Sequence, residues 1–557
     1  MTEQEFSELA DLLYPNVLDT TFYFNKYKPR NVAGEVTRLA PSPTGYLHIG
    51  QLYQAVVHSS LARTTNGVFY LRLEDTDNKR EVENAGQIAY DMLNKFGLVA
   101  DEGYRGDTLP EIGEYGPYVQ SKRLEIYRAF AHELVKRGGA FPCFCGAMAD
   151  KAEILKKREE ELEENSDLEV KDPCRNLSLN EIKQNIKEGK PFALRLLSTG
   201  DANKTHEIND RIKGKKEVRE NAKDDVLIKS NGIPVYAFAH VVDDTLMGTT
   251  TVIRGQEWFQ SLPVHLEIAR KFGLKPFKYA HTPNICVLDE NGNKRKISKR
   301  KDPFADVRFF LKKGYPTNAV VEYLMNLLNS DFELWRKQNP TLPYTDFPFS
   351  LSKIGVTNPM FDFAKIDDIS KTIISRMSAE QVYENALNWA KEWNKNDYQT
   401  IKDNKQVLLA VLSIDRGGER PRKDITFYSE IVELYNYVLP LFKPNFESLN
   451  YGAVKRGNLV GFLKEYCANY CEQENNQAWF EDLKQLAAKH LFADNKTYKQ
   501  QPDAYAGSVS DCAKFVRLAI TGRENSPELY SIMKVLGVDE CKKRLQTLID
   551  VVAATLN

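Results

Sequence analysis

Two loop-borne clusters in this sequence carry residue types suited to phosphate chemistry. The first is Ala40-Pro41-Ser42-Pro43-Thr44-Gly45-Tyr46-Leu47-His48-Ile49-Gly50. Its prolines and Gly45 stop any helix before His48, so a loop enters a helix there. Free backbone N–H groups and the positive dipole end at such an N-terminus bind phosphate. Gly50 lets a purine or ribose approach the backbone, and His48 offers a donor for charge that builds in a transition state. Taken alone, His48 reads sooner as a buried histidine in a Pro/Gly loop. The second cluster is the segment 293–302, NKRKISKRKD, with six basic residues and Ser298 between Lys296 and Lys299. Two lysines and a hydroxyl in a loop suit a triphosphate losing pyrophosphate. The alternatives are a solvated basic turn and a nucleic-acid patch.

Such groups need a scaffold that gathers strand ends. The alternation in EVTRLA (35–40) predicts a strand, the spacing over 47–64 a helix, and GVFYLRLED (67–75) a second strand after the Asn66-Gly67 turn. Strand, loop, helix and strand make a βαβ unit, the element of a parallel sheet. TTVIRG (250–255) predicts another buried strand. Residues 1–33 read as one or two short helices and a linker, 120–139 as helix, 191–230 as mixed strands and loops, and the chain beyond about 305 as nearly all helical. The charge run 151–170 reads as a solvated helix, or helix plus loop.

With 557 residues, 42% hydrophobic and 27% charged, the chain can bury several cores, and three to five structural units are expected. A net charge of -1 gives no global basic signal, so a polyanionic partner must be held by local patches. The acidic, amphipathic segment 1–15 lacks the basic and apolar regions expected of a signal peptide. No apolar run approaches the roughly 20 residues that span a bilayer. The eight cysteines are too sparse for a disulfide scaffold, which points to a reducing cytoplasm.

Taken together, the two clusters resemble a known pair. His48-Ile49-Gly50-Gln51 resembles the HIGH motif, and Lys296-Ile297-Ser298-Lys299-Arg300 the KMSKS loop, of class I aminoacyl-tRNA synthetases. The fourth HIGH position departs as Gln51. The flanks resemble the glutamyl branch: Thr37–Gly45 (TRLAPSPTG), Leu73–Asp77 (LEDTD), Asp101-Glu102-Gly103, Gln120–Arg123, Val241–Asp244 with Leu246-Met247-Gly248, and Val252–Gly255. The alternatives are a glutaminyl enzyme of the same class and a non-catalytic tRNA-binding paralogue.

The resemblance implies an α/β protein: a Rossmann-type parallel-sheet catalytic domain with an inserted acceptor-binding domain, then an all-helical C-terminal anticodon-binding region. The expected organisation is an N-terminal helical extension (1–33), the catalytic domain in two halves (34–130 and 221–285) around the insertion (131–220), a stem-contact region with the KISKR loop (286–370), and the helical anticodon-binding region (371–557). The implied activity is a glutamate–tRNA ligase using ATP with Mg²⁺, with tRNA(Glu), L-glutamate and ATP as partners, no membrane contact, and a monomer as the working form.

By the same resemblance His48 and Lys299 are catalytic. Arg38, Ala40, Ser42, Glu74, Tyr236, His240 and Arg254 bind glutamate, with Arg38 on the side-chain carboxylate and Glu74 on the α-ammonium. A guanidinium suits a carboxylate because two N–H groups match two oxygens. His240 departs from the Asn usual there, which leaves its tautomer open. ATP is assigned His48, Gly50, Glu257, Trp258, Ile285, Lys296, Ser298 and Lys299, with plain core as the alternative for Trp258. Some family members bind zinc in the insertion. Cys143, Cys145 and Cys174 are candidates, but Asn176 stands where a fourth ligand is sought, so no structural zinc is expected. The tail FVRLAITGR (515–523) resembles bacterial-type glutamyl enzymes. Arg416, Arg420, Arg422 and Lys423 read either as phosphate contacts or as an ordinary loop.

Overall fold

The computed structural model describes residues 1–43, 45–76, 82–147, 171–440, 442–446 and 449–556. The predicted charged helix at 151–170, Thr44 and Asp77 lie outside them. Two compact units emerge, one of residues 1–309 with 320–362, the other of 310–319 with 363–557.

In the first unit the early elements are α1 (Glu3–Leu13), α2 (Thr20–Lys26), β1 (Val36–Leu39), α3 (Ile49–Thr64), β2 (Val68–Leu71), α4 (Ala85–Lys95), β3 (Glu102–Gly103) and α5 (Leu124–Lys136). α1 exists because Thr2 and Glu5 form a capping box and Leu9, Ala10 and Leu13 share a buried face, which packs on α5. β1 pairs in parallel with β2, and β2 with β3. All four β1 residues are buried, as a central parallel strand requires. Its two polar members must therefore find partners inside. Thr37 Oγ1 donates to His58 O at 3.0 Å, and Arg38 turns to an aspartate.

The chain next builds β4 (Ala140–Cys143), α6 (Leu179–Lys187), β5 (Ala193–Leu196), the hairpin β6 (Thr205–Asp210) and β7 (Gly214–Arg219), and β8 (Val226–Ile228). β4, β5 and β8 form an antiparallel sheet. It then returns through α7 (Tyr236–Leu246), β9 (Thr251–Gly255), α8 (Leu262–Lys271) and β10 (Lys278–Thr282). β9 and β10 pair in parallel, with Arg254 opposite His281. Thr250 stitches β9 to β1: its N–H donates to Val36 O at 3.0 Å and its Oγ1 accepts from Val36 N–H at 2.9 Å. The spatial order β3-β2-β1-β9-β10 is that of a nucleotide-binding half-sheet, whose ligands collect at the C-terminal strand ends.

The basic segment is only partly the expected loop. β12 (Lys294–Lys296) pairs antiparallel with β11 (Cys286–Leu288), because three consecutive residues of each find ladder partners. The turn proper begins at Ile297. Asp302 closes it, accepting from Ser298 N–H at 2.8 Å and from both Arg295 nitrogens at 2.7 Å.

Beyond Phe363 the described residues of the second unit are helical, as expected, apart from one two-residue strand pair, Phe492–Ala493 with Gly507–Ser508. Its core includes Leu408, Leu459, Phe515, Ile532 and Leu545. Arg416 and Arg422 serve this fold from within. Arg416 donates to Leu412 O (2.7 Å) and Ile374 O (2.8 Å), and Arg422 to Ile414 O (2.6 Å) and the Tyr435 hydroxyl (2.8 Å). Neither reading of the basic loop, phosphate contact or ordinary solvated loop, describes those two side chains, which are half-buried and bonded into the fold.

Candidate active site

His48 caps α3. Its Nδ1 accepts from Gly50 N–H at 2.9 Å, and the Gln51 side chain accepts from His48 N–H at 3.0 Å. The Gly50 amide is thus spent on a side chain rather than left for a phosphate, which corrects the free N-terminus expected from the loop. Gln51, the departure in the motif, is one half of a capping box. A Cβ at position 50 would lie 3.1 Å from His48 Nδ1, so glycine keeps the cap. Since Nδ1 accepts, the neutral ring carries its proton on Nε2. Burial first, then Lys299 and Lys296, push His48 down to about 4, so at neutral pH it is an uncharged donor.

A cleft of about 230 Å³ opens beside it, lined among others by His48, Gly50, Glu257, Ile285 and Lys296, five of the eight residues expected around ATP. Lys296 pairs with Glu257 at 2.9 Å. Burial pushes the Glu257 carboxyl up, but Lys296, its own backbone amide and Asn284 together outweigh it and the net shift is downward. Lys299 Nζ donates to Tyr46 O on the first loop, and Ser298 Oγ accepts from Arg300 N–H at 3.4 Å. Trp258 is 41% exposed and lies against Tyr236 at 4.6 Å, so it is not core.

Next to this cleft lie two buried arginines. Arg38 on β1 donates through Nε to both oxygens of Asp244 (2.9 and 3.0 Å) and through Nη1 to Ile253 O (3.2 Å). Asp244, on α7, also accepts from Arg72 at 2.7 Å and from His240 Nδ1 at 2.5 Å. Arg72 continues to Glu74 at 2.9 Å. Burial would raise the Asp244 carboxyl, but Arg38 and Arg72 hold it well below the usual carboxylate range. Burial dominates at Glu74 and pushes it up. The neighbouring Asp243 anchors Arg123 at 2.7 Å. Two adjacent carboxylates on α7 thus compensate three buried arginines.

Arg254 on β9 is held differently. Its Nε donates to His281 Nε2 at 3.0 Å, its Nη1 to His265 Nδ1 at 2.9 Å, and the Tyr279 ring lies 5.2 Å from the guanidinium carbon. It makes no ion pair among the described residues, and its Nη2 is buried without a hydrogen-bond partner. His240 lies between the two arginines, stacked on Tyr236 at 5.4 Å and edge-on to His265 at 4.8 Å. Its Nδ1 gives its proton to Asp244, so Nε2 presents a lone pair, also unpartnered. That fixes the tautomer the sequence left open, and burial pushes the ring down to about 4. Contacts therefore chain Glu74, Arg38, His240, Tyr236 and Arg254 into one network. Ala40 and Ser42 sit on the loop after β1, which Glu74 N–H ties down through Pro41 O at 3.0 Å.

A separate cluster lies in the antiparallel sheet region. Cys143, Cys145, Cys174 and Asp172 are all buried, with one ligand atom from each within 4.8 Å of the others. Asp172 accepts from Cys174 N–H at 2.9 Å, and Arg195 lies 3.0 Å from its carboxylate. Three sulfurs and one oxygen are a donor set zinc accepts, and Cys145 Sγ and Cys174 Sγ, 3.4 Å apart, are near the about 3.8 Å that Zn–S bonds of about 2.3 Å around a tetrahedron require. The fourth ligand missing from the position after Cys174 is thus offered two residues before it.

Residues 35–336 match the family described as "tRNA synthetases class I (E and Q), catalytic domain", and residues 422–549 the anticodon binding domain. The chain is 40% identical over 555 residues to the glutamate–tRNA ligase of Acetivibrio thermocellus, spanning 98% of this chain and 100% of that one. The chain belongs to the glutamate–tRNA ligase family of class I tRNA synthetases. The corresponding ligase of Clostridium perfringens strain 13 is 39% identical over 97% of this chain and 100% of its own. In fold, the chain is similar to the glutamate tRNA ligase of Elizabethkingia meningosepticum (TM-score 0.74, 23% identity, 93% and 100% covered).

The residues assigned from the family motifs left out several that organise this site: Arg72, Asp210, His265 and His281, together with Asp243 and Asp244, which lie inside the Val241–Asp244 match but were given no role. A signal for three of them was present. An arginine inside the apolar run GVFYLRL needs a buried countercharge, and Asp243-Asp244 is the acidic pair set in an apolar helix.

Proposed function

We propose that this family member charges tRNA(Glu) with glutamate, as a cytoplasmic monomer. The glutamate α-carboxylate attacks the α-phosphate of ATP, releasing pyrophosphate. The terminal ribose hydroxyl of the tRNA then attacks the activated carbonyl, releasing AMP. The first nucleophile is already ionised, so catalysis rests on positioning and charge stabilisation. ATP takes the His48–Lys296 cleft. Neutral His48 donates from Nε2 to the reacting phosphate, and Lys299 swings from the Tyr46 carbonyl to the charge developing on pyrophosphate. Mg²⁺ accompanies the triphosphate and needs few protein ligands.

Glutamate takes the neighbouring network. The free edge of Arg254 meets a carboxylate, while Arg38, compensated by Asp244, keeps Nη2 available for a weaker second contact. The lone pair on His240 Nε2 and the carboxylate of Glu74 favour an ammonium. Ala40, Ser42 and Tyr236 complete the wall. The observation that carries this reading is the buried Arg254 guanidinium with no carboxylate of its own, one residue from Gly255 and three from Glu257 of the nucleotide cleft. Cys143, Cys145, Cys174 and Asp172 would hold a zinc ion, which when bound pins the turn after β4 to residues 172–174 and supplies no chemistry to the reaction.

The test is pyrophosphate exchange with glutamate or glutamine, with and without tRNA. Exchange is expected with glutamate. Exchange driven by glutamine alone would overturn the assignment.

A further inference from the structure

Arg254 can read a carboxylate only if its planar fork is aimed, and the two groups that aim it are imidazoles. An imidazole accepts from an arginine only in one tautomer and only when uncharged. Some other group must therefore choose that tautomer at His281, and the hairpin β6–β7 supplies it.

Asp210 ends β6 and is 1% exposed. Its Oδ1 accepts from the backbone N–H groups of Ile212 (3.0 Å) and Lys213 (2.8 Å), which fixes the carboxylate plane in the hairpin turn. Its Oδ2 accepts from His281 Nδ1 at 2.6 Å and from His281 N–H at 3.2 Å. Burial pushes the Asp210 carboxyl up, but the His281 bond and those backbone amides outweigh it, and the group stays below its usual value. An ionised Asp210 has no proton to give, so His281 must carry its proton on Nδ1 and turn the Nε2 lone pair to Arg254 Nε, 3.0 Å away. Burial also pushes His281 down, which keeps the ring neutral and able to accept. The register places Arg254 and His281 directly opposite on neighbouring parallel strands, so the relay spans one strand spacing.

We propose that Asp210 and His281 are positioning residues for substrate recognition: through the fixed tautomer of His281, the hairpin carboxylate sets the orientation of the Arg254 fork and so the affinity for the amino acid carboxylate. The inference rests on the reading of Arg254 as the carboxylate binder. It assigns to a hairpin outside the catalytic sheet a role in choosing the amino acid.

Asp210→Asn is the sharpest change. The amide oxygen keeps the two hairpin amides, while the amide nitrogen now donates toward His281 Nδ1, favouring the tautomer whose Nε2–H opposes Arg254. The KM for glutamate is expected to rise about tenfold, the size of a lost hydrogen bond to a charged group, with the KM for ATP and the Tm near wild type. His281→Gln presents an amide oxygen that accepts without needing Asp210, so its KM for glutamate should stay within about threefold of wild type, and adding Asp210→Asn to it should change nothing further. His281→Leu, which has no acceptor, should match Asp210→Asn. Should Asp210→Asn fail to fold, the contrast between His281→Gln and His281→Leu decides alone. Equal rises in the KM for glutamate and ATP, an undiminished Asp210→Asn effect in the His281→Gln background, or equal behaviour of the Gln and Leu variants would overturn the relay. Absence of glutamate-dependent exchange in the wild type would instead fail the underlying substrate reading.

Discussion

Arg38 and Arg254 are both buried, on two strands of one sheet, and they face opposite electrostatic situations. Arg38 shares Asp244 with Arg72 and His240, so its charge is answered inside the fold. Arg254 is held by two neutral imidazoles and a tyrosine face, and its outer nitrogen is left without a partner. Burial alone does not distinguish a structural arginine from a ligand-reading one; the nature of the partners does. A carboxylate partner spends the charge, whereas an imidazole lone pair orients the group and leaves the charge for a ligand.

The largest break in this comparison should come from Arg38→Ala, which leaves Asp244 underpaired in the core. Removing one member of a buried ion pair costs about 3–5 kcal/mol, so urea unfolding should show a loss of that size, with Asp244→Asn restoring part of it. Unfolding at the wild-type midpoint would mean that Arg38 is not structurally committed. Arg254→Gln orphans no carboxylate. Its midpoint should stay close to wild type while kcat/KM for glutamate falls about a hundredfold, within the 2–5 kcal/mol cost of truncating one partner of a buried charge pair; an unchanged kcat/KM would reverse the roles of the two arginines.

The sulfur–carboxylate nest offers a third way of answering buried charge. Elemental analysis of the purified protein should find about one zinc per chain, lost in Asp172→Ala and Cys174→Ser, with a lowered Tm after chelation. Full retention of zinc in Asp172→Ala would remove the aspartate from the ligand set.

The smallest effect separates the two nests by pH. His240 is pushed down to about 4, and His265 and His281 also lie below their ordinary 6.5, each chiefly through burial. Between 6.5 and 4 the unfolded chain therefore binds more protons than the folded one, so stability falls as pH drops through that window. Asp244, held well below its ordinary 3.8, stays ionised throughout. Tm should decline by several degrees from pH 6.5 to 4.5, and more gently in His265→Gln. A flat profile would mean that the histidines around Arg254 are not buried and neutral.

Much of this was legible in the residues. Pro41, Pro43, Gly45 and Gly50 marked the loop before α3, the apolar alternation of 35–40 and 250–255 marked the strands, and five of the eight residues expected around ATP, three of them from the two motifs, line one cleft. Local periodicity carries such information because it acts within a turn or a strand. The relay and the place of Asp172 beside the three candidate cysteines were not legible because they depend on how distant segments meet. His281 meets Arg254 only because β10 pairs with β9 in one alignment, and Asp172 joins three cysteines only after the chain has folded back. Gln51 was legible as a departure but not as a cap, since a cap is a matter of geometry three residues apart.

Thermal denaturation with and without saturating glutamate tests the role of Arg254 without relying on turnover. Glutamate should raise the Tm of the wild-type protein and of Lys299→Ala, whose side chain is assigned to the triphosphate, but leave that of Arg254→Gln where it was. A glutamate-induced rise of wild-type size in Arg254→Gln would contradict the account.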